Sequence, residues 1–301
     1  MRLPTAPSAA GSSVAILGVP FDGGTTFRPG ARFGPSAMRE ASRTLYAYHA
    51  QHRRDLFDRF PAADLGDVAV VPGDTRRTLE RTEAAVAAID GEDAFPLVLG
   101  GDHSVTLGEL RALHRRHGPL ALVQFDSHSD LWDELWGEPY SHATFARRAL
   151  DEGLIAPEHS ILVGLRGSLE SANDAQLPQR FGIRVIDSYS YITAGARSTA
   201  HAIRTRVGDR ACFLTFDVDV VDPSHAPGTG TPEVGGPPSW HVLETIRRLA
   251  GIRPVGADVV EVAPAYDTAG ITALLGATVA YEFLALRVLS GLSPFVQPAS
   301  D

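Results

Sequence analysis

The sequence predicts an α/β domain built on a parallel sheet, and three observations carry that expectation. Eight short β-rich runs recur along the chain, most of them apolar without alternation, as strands buried on both faces are. Helix-like segments lie between them, and this alternation is that of a parallel sheet with helical crossovers. Polar residues gather at the C-terminal ends of several runs, where parallel α/β sheets present their sites.

Taken in order, the first strand is expected at 13–19 (SVAILGV), followed by a Gly- and Pro-rich loop at 20–35. A second run, 67–71 (DVAVV), precedes a helical segment at 76–89. The third, 96–99 (PLVL), ends in "GGDHS" and leads into a helix over 105–117. The fourth, 119–125 (PLALVQF), ends in "DSHSD", with a helix at 143–152. Runs at 160–165 and 183–187 come next, then a helix over 197–207. The seventh, 211–216 (ACFLTF), opens into "DVDVVDP" and a second long loop at 220–239, where Asp222-Pro223 reads as a turn. A helix at 239–250, the eighth run at 254–260 ending in Glu-Val, and a helix at 270–289 complete the series. Loops of such length in a compact domain usually have a function. No repeat, low-complexity segment or linker interrupts the pattern, so residues 1–301 read as one domain, with 1–13 a loose arm. At this level an open doubly wound sheet and a closed barrel both fit.

Composition narrows the function. The 301 residues are 44% hydrophobic and 21% charged, enough to build a sizeable core. The formal net charge of -9 disfavours nucleic acid and anionic membranes and favours a cationic partner. The one cationic cluster, "HRRH" at 114–117, reads as a solvated helix face. All 27 basic residues are arginine, which excludes a lysine Schiff base and a complete phosphate-binding loop. The single cysteine, Cys212, excludes internal disulfides and Cys-rich metal sites and reads as a buried, inert thiol. No 18-residue apolar stretch is evident, and a cytoplasmic protein is expected.

Four strand ends carry polar residues of one kind: His103; then Asp126, His128 and Asp130; then Asp217 and Asp219; then Glu261. Residues two apart in extended chain point the same way, so each set can converge from its own segment. That many carboxylates at an apolar sheet end would repel one another and shift toward neutrality. Two divalent cations remove the conflict. Mostly oxygen donors with two imidazoles suit Mn²⁺ over a thiolate-loving ion. Two such ions, about 3.5–4 Å apart, would bind and acidify a shared water.

"GGDHS", "DSHSD", "SHATF", "FDVDVVDPSHAPGTGTPEVGG" and "DVVEVAPAYD" together resemble the ureohydrolase family of arginases and agmatinases, over residues 18 to about 287, with the agmatinase branch most similar. The resemblance implies a three-layer α/β/α fold with an eight-stranded parallel sheet, two Mn²⁺ per chain, and trimers or hexamers. It implies His103, Asp126, Asp130 and Asp217 around the first metal, and Asp126, His128, Asp217 and Asp219 around the second. It also implies His142 as a proton-handling residue and Glu261 as the carboxylate that holds the guanidinium. Two positions depart from the family pattern. Ser127 stands where alanine is usual and is expected to point away from the metals. Ala143 stands where glycine is usual, which would disturb His142 if that position needed φ > 0.

The expected reaction is hydrolysis of a guanidino group to urea and an amine. Glu261 would fix the guanidinium, Asp130 would accept and pass on the nucleophile's proton, and His142 would exchange protons with bulk water. A single-zinc deacetylase would leave His103, Asp130 and Asp219 stranded, and an inactive metal-stabilised assembly subunit would tolerate an incomplete set. For the substrate tail, Trp132 replaces the asparagine that arginases use. The loop "LWDELWGEPY" holds Asp133, Glu134 and Glu138 without a basic residue, while Trp132 and Trp136 could pack on a methylene chain. Agmatine is therefore expected ahead of guanidinobutyrate, guanidinopropionate or arginine.

Overall fold

Strands and helices alternate through the computed structural model, which describes residues 6, 8, 13–57, 61–89 and 94–290. The order is β1 (Val14–Gly18), α1 (Gly34–Ala41), β2 (Tyr48–His49), β3 (Arg54–Asp55), β4 (Ala62–Asp67), α2 (Thr75–Ala87), β5 (Phe95–Leu99), α3 (Thr106–His117), β6 (Ala121–Phe125) and α4 (Phe145–Asp151). Then come β7 (Ile161–Leu165), α5 (Ala172–Arg180), β8 (Arg184–Asp187), α6 (Ser188–Val207), β9 (Ala211–Asp217), α7 (Ser239–Arg247), β10 (Arg253–Val260) and α8 (Ile271–Ser290). Eight strands form one sheet in the order β4-β1-β5-β10-β9-β6-β7-β8, every neighbour parallel. The sheet is open, with β4 and β8 as edges, and β2 and β3 make a separate antiparallel pair. The closed barrel is excluded.

Strand chemistry explains the layers. β1, β5, β6 and β9 are buried along their whole length, which is why their sequences do not alternate. Successive residues still face opposite ways. Leu97, Val123 and Leu214 enter the core shared with α1, α6, α7 and α8, while Val98, Leu122 and Phe213 enter the core shared with α2, α3 and α4. Truncating a wholly buried ring such as Phe213 to alanine would cost about 3–5 kcal/mol by transfer and cavity together. Cys212 is buried in the opposite core, beside Leu214 and Val123, and its thiol is pushed up to about 12 by burial, so it stays protonated and inert.

Several expectations need correction. The second strand covers 62–67, not 67–71: Val68 N–H still reaches Gly18 O (2.8 Å), but the ladder stops there, and the β-branched 68–71 run lies beyond it. The sixth helix begins at Ser188 and absorbs a kink at Gly195 (φ 82°). α1, α5 and the β2–β3 pair were not anticipated. α5 carries Pro178 internally, which masks its Ser171–Asp174 capping box. The arm at 1–13 lies mostly outside the described residues, although Ala6 N–H donates to Asp64 O (3.0 Å). One helix, α8, does reach membrane length and apolarity. It packs against β10, α1 and α7, with Glu282 held by Arg247 and His49, so its apolar surface faces protein.

Candidate metal centre

Sheet order determines which strand ends meet. β5, β10, β9 and β6 are adjacent, and each ends in site residues. His103 opens the 3₁₀ turn after β5; Asp126, His128 and Asp130 follow β6; Asp217 closes β9; Asp219 lies in the 3₁₀ turn after it; Glu261 follows β10. Asp130 (φ 52°) and Glu261 (φ 63°) adopt left-handed backbone, a costly conformation for non-glycine residues that clusters at functional sites. Gly101 permits the close packing beneath them. A Cβ there would lie 1.7 Å from Phe21 O, while Gly101 O accepts from Glu261 N–H (2.8 Å).

Two donor groups form. His103 Nδ1 lies 3.1 Å from Asp126 Oδ2, 3.1 Å from Asp130 Oδ2 and 3.3 Å from Asp217 Oδ2. His128 Nδ1 lies 3.0 Å from Asp219 Oδ2 and 3.6 Å from Asp126 Oδ1. Asp126 thus offers one oxygen to each group. Asp217 Oδ2 faces the first group, while its Oδ1 accepts from Asp219 N–H (2.8 Å) and so lies beside the second, as Asp126 Oδ1 does in accepting from His128 N–H (2.7 Å). His103 Nδ1 is buried without a hydrogen-bond partner, although three carboxylate oxygens surround it. A ring nitrogen and three carboxylates converging on one point fit a divalent cation, and the second set fits another.

Electrostatics agree with that chemistry. Burial, then the charge of Asp126, pushes Asp130 up to about 7; burial, then Asp219, pushes Asp217 upward. His103 and His128 rise despite burial because carboxylates surround them. Cations bound here would therefore compete with protons for the same groups.

Supporting residues arrive from the same strands. Gln124 Nε2 donates to Asp126 Oδ2 (2.8 Å) and Asp130 Oδ2 (3.3 Å), and Thr215 Oγ1 lies 2.7 Å from His103 Nε2. Neither was identified from sequence. The available signal was a polar residue in a buried strand, two positions before a ligand and so on the same face. Ser127 also needs correction: it is not idle, since its N–H (3.0 Å) and Oγ (2.7 Å) both donate to Asp219 Oδ1.

Arg166 fans its guanidinium over the backbone oxygens of Gly164, Asp219, Val220 and Glu233, tying the long 220–239 loop to the ligand turn. Asp222 caps the 223–225 turn through Ser224 and accepts from Gly235 and Gly236 N–H, closing the same loop. Among the described residues a cavity of about 710 Å³ opens onto His103, His128, Asp130, Asp217, His142 and Trp132. His142 Nδ1 is 2.9 Å from Glu261 Oε1 and its Nε2 is 2.8 Å from Thr26 Oγ1. Ala143 is not in the left-handed region, so the departure from glycine costs His142 nothing. Glu261 lies deeper than the wall, wholly buried. Its Oε1 accepts from His103 N–H (2.9 Å), and its Oε2 has no partner.

The loop after Trp132 meets the cavity only in part. Asp133 pairs with Arg147 and Arg148 of α4, Glu138 accepts from Tyr140 N–H, and Trp136 is 81% exposed and off the cavity, while Asp133 and Glu134 line a smaller cavity of about 270 Å³ that shares Trp132, Leu135 and Asp174 with it. The charged wall beyond the donors is instead Arg166, Asp174, Arg184 and Glu233.

An open parallel sheet that delivers histidine and aspartate sets to its carboxyl edge defines a metal-dependent hydrolase. The chain belongs to the arginase family, whose model matches residues 12–286. It is 44% identical over 287 residues to a guanidinopropionase of Pseudomonas aeruginosa (95% of this chain, 90% of the relative). It is 41% identical over 288 residues to a mitochondrial agmatinase of Gallus gallus (94% and 84%). Its fold superposes on proclavaminate amidino hydrolase from Streptomyces clavuligerus with TM-score 0.91, 38% identity and 96% of each chain covered. The expected α/β/α architecture thus holds.

Proposed function

We propose that the chain binds two Mn²⁺ ions and hydrolyses a small linear guanidino compound to urea and an amine, with agmatine the leading substrate. The observation that carries this reading is the pair of donor groups sharing Asp126. His103, Asp126, Asp130 and Asp217 would hold one ion; Asp126, His128, Asp217 and Asp219 the other. Bound cations would supply an acidified water as nucleophile. Glu261 Oε2, a buried carboxylate oxygen without a partner, is the acceptor for the guanidinium and fixes its carbon. Asp130 takes the proton from the nucleophile and delivers it to the leaving nitrogen. His142, on the cavity wall and coupled to Glu261 and Thr26, exchanges that proton with solvent. Trp132 packs against the substrate's methylene chain, and the Glu233 and Asp174 carboxylates favour an amine tail.

A carboxylate-tailed substrate is the second reading. Arg184 lines the same cavity and forms no ion pair among the described residues, and a guanidinopropionase is among the relatives. Urea release with Mn²⁺ from agmatine, 3-guanidinopropionate, 4-guanidinobutyrate and arginine separates the two. A higher kcat/KM for agmatine supports the first, and preference for a carboxylate tail overturns it. Metal analysis under saturating Mn²⁺ tests the centre itself: one ion per chain refutes the two-ion reading.

A further inference from the structure

Glu109 is charged by type and wholly buried on α3, among Leu107, Leu110 and Leu113. Neither of its carboxyl oxygens meets a hydrogen-bond partner with both groups ionised. It faces Asp258 of β10, which is also wholly buried. Asp258 Oδ2 accepts from Thr106 Oγ1 (2.6 Å), while its Oδ1 has no donor. Glu109 lies one turn along α3 from Thr106, which donates to Asp258, so the two buried carboxylates are neighbours; without a cation they repel, and one of them must carry a proton. That proton also satisfies the orphaned oxygens, because a protonated carboxyl becomes a donor.

The two groups are not equivalent. Burial and then the charge of Asp258 drive Glu109 well above the usual carboxylate range. Burial raises Asp258 too, but the hydroxyls of Thr106 and Thr215 and the N–H of Phe216 act to keep it ionised. The proton belongs on Glu109 and the charge on Asp258.

Asp258 then acts on Thr215, its cross-strand partner in the β10–β9 register, whose Oγ1 lies 2.7 Å from His103 Nε2. His103 can offer Nδ1 to a cation only if its ring proton is on Nε2, and that N–H needs an acceptor. A Thr215 hydroxyl turned toward the Asp258 charge presents its lone pair to His103. We propose that Glu109 is a positioning residue for the metal centre: as a protonated carboxyl donating to Asp258, it holds the Asp258–Thr215–His103 series in the arrangement that exposes His103 Nδ1. This rests on the reading of His103 as a metal ligand.

The test uses the full chain, E109Q and E109L. The Gln amide can donate to Asp258 as the protonated Glu does; Leu cannot. Infrared difference spectra should show a protonated-carboxyl C=O band in the native protein that E109Q abolishes, with metal present or absent. In Mn²⁺ titrations, E109L should bind one ion about 10–100-fold more weakly, the usual cost of losing an outer partner of a ligand, and E109Q should restore near-native affinity. Absence of the band overturns the proposal. So does native Mn²⁺ affinity in a folded E109L, or an equal loss in both variants. If E109L does not fold, the band and the E109Q titration decide the matter. If the native protein itself binds no Mn²⁺, the metal reading fails, whereas the infrared result stands apart from it.

Discussion

Glu261→Gln isolates the charge proposed to face the guanidinium while keeping the side chain's shape. The native carboxylate is wholly buried, with Oε1 serving His103 N–H and His142 Nδ1 and Oε2 open. In the variant the amide oxygen can still serve those two donors, so the NH₂ falls where Oε2 was and meets a guanidinium donor to donor. Removing one partner of a buried charged pair costs about 3–5 kcal/mol. At about 1.4 kcal/mol per tenfold, kcat/KM should fall by roughly 10²–10⁴, measured by urea release. A second effect follows from His142, which burial pushes down while Glu261, with Asp102 and Asp130 behind it, raises it to a net upward shift. Without the Glu261 charge its pKa falls, and any acid limb of the rate profile that His142 governs moves to lower pH. Metal content should be unchanged, since Glu261 is not a donor in either group. Turnover near the native level, with metal intact, would remove Glu261 from guanidinium recognition.

Three further outcomes are expected. In the metal-free protein Asp130 stands near 7 and Asp217 is raised, so their stabilisation is complete below the unfolded value near 4 and is lost as pH climbs through the folded values. His103 and His128, also raised, act in the same direction, and the thermal-melt gain from added Mn²⁺ should therefore grow between pH 5 and 8; a gain that is flat or shrinks refutes the linkage. Ser127→Ala removes the Oγ donor to Asp219 and leaves the N–H, so affinity for the second ion should drop about tenfold by titration, and native affinity would return Ser127 to an idle position. Arg166→Lys loses the planar fan across at least four backbone oxygens, and the denaturant midpoint should report a loss of roughly 2–4 kcal/mol; a change under 0.5 kcal/mol would show that the 220–239 loop is held by other contacts.

The parts of this site that were legible from sequence are those where chemistry conflicts with context. Asp126 and Asp217 stand out because an apolar strand has no other use for a charge at its end. Thr215 and Gln124 stand in the same strands and went unread, because a single polar residue inside a run does not reveal which long-range partner it meets. Asp133 was misread for the complementary reason. Its neighbours in sequence are acidic and apolar, and the arginines that neutralise it come from α4, more than ten residues on. The 62–67 strand was displaced to 67–71 because β-branched composition marks side-chain packing, while the ladder depends on where β1 ends.

The order β5-β10-β9-β6 has a consequence for synthesis. Strands that touch at the centre are separated along the chain, and the ligands run from His103 to Asp219, with Glu261 later still. A nascent chain released only as far as Asp130 has His103, Asp126, His128 and Asp130 but no β9 or β10 between β5 and β6 to set their spacing. The gap is filled only when residues up to 260 have emerged, so the last central strand arrives after every donor has been made. Tight metal capture is thus expected to wait for a nearly complete polypeptide, and these long-range pairings are of the kind that slow folding. Cutting the chain between β6 and β9 should yield two pieces, neither holding a finished donor set, which regain the ion only by reassembling the sheet.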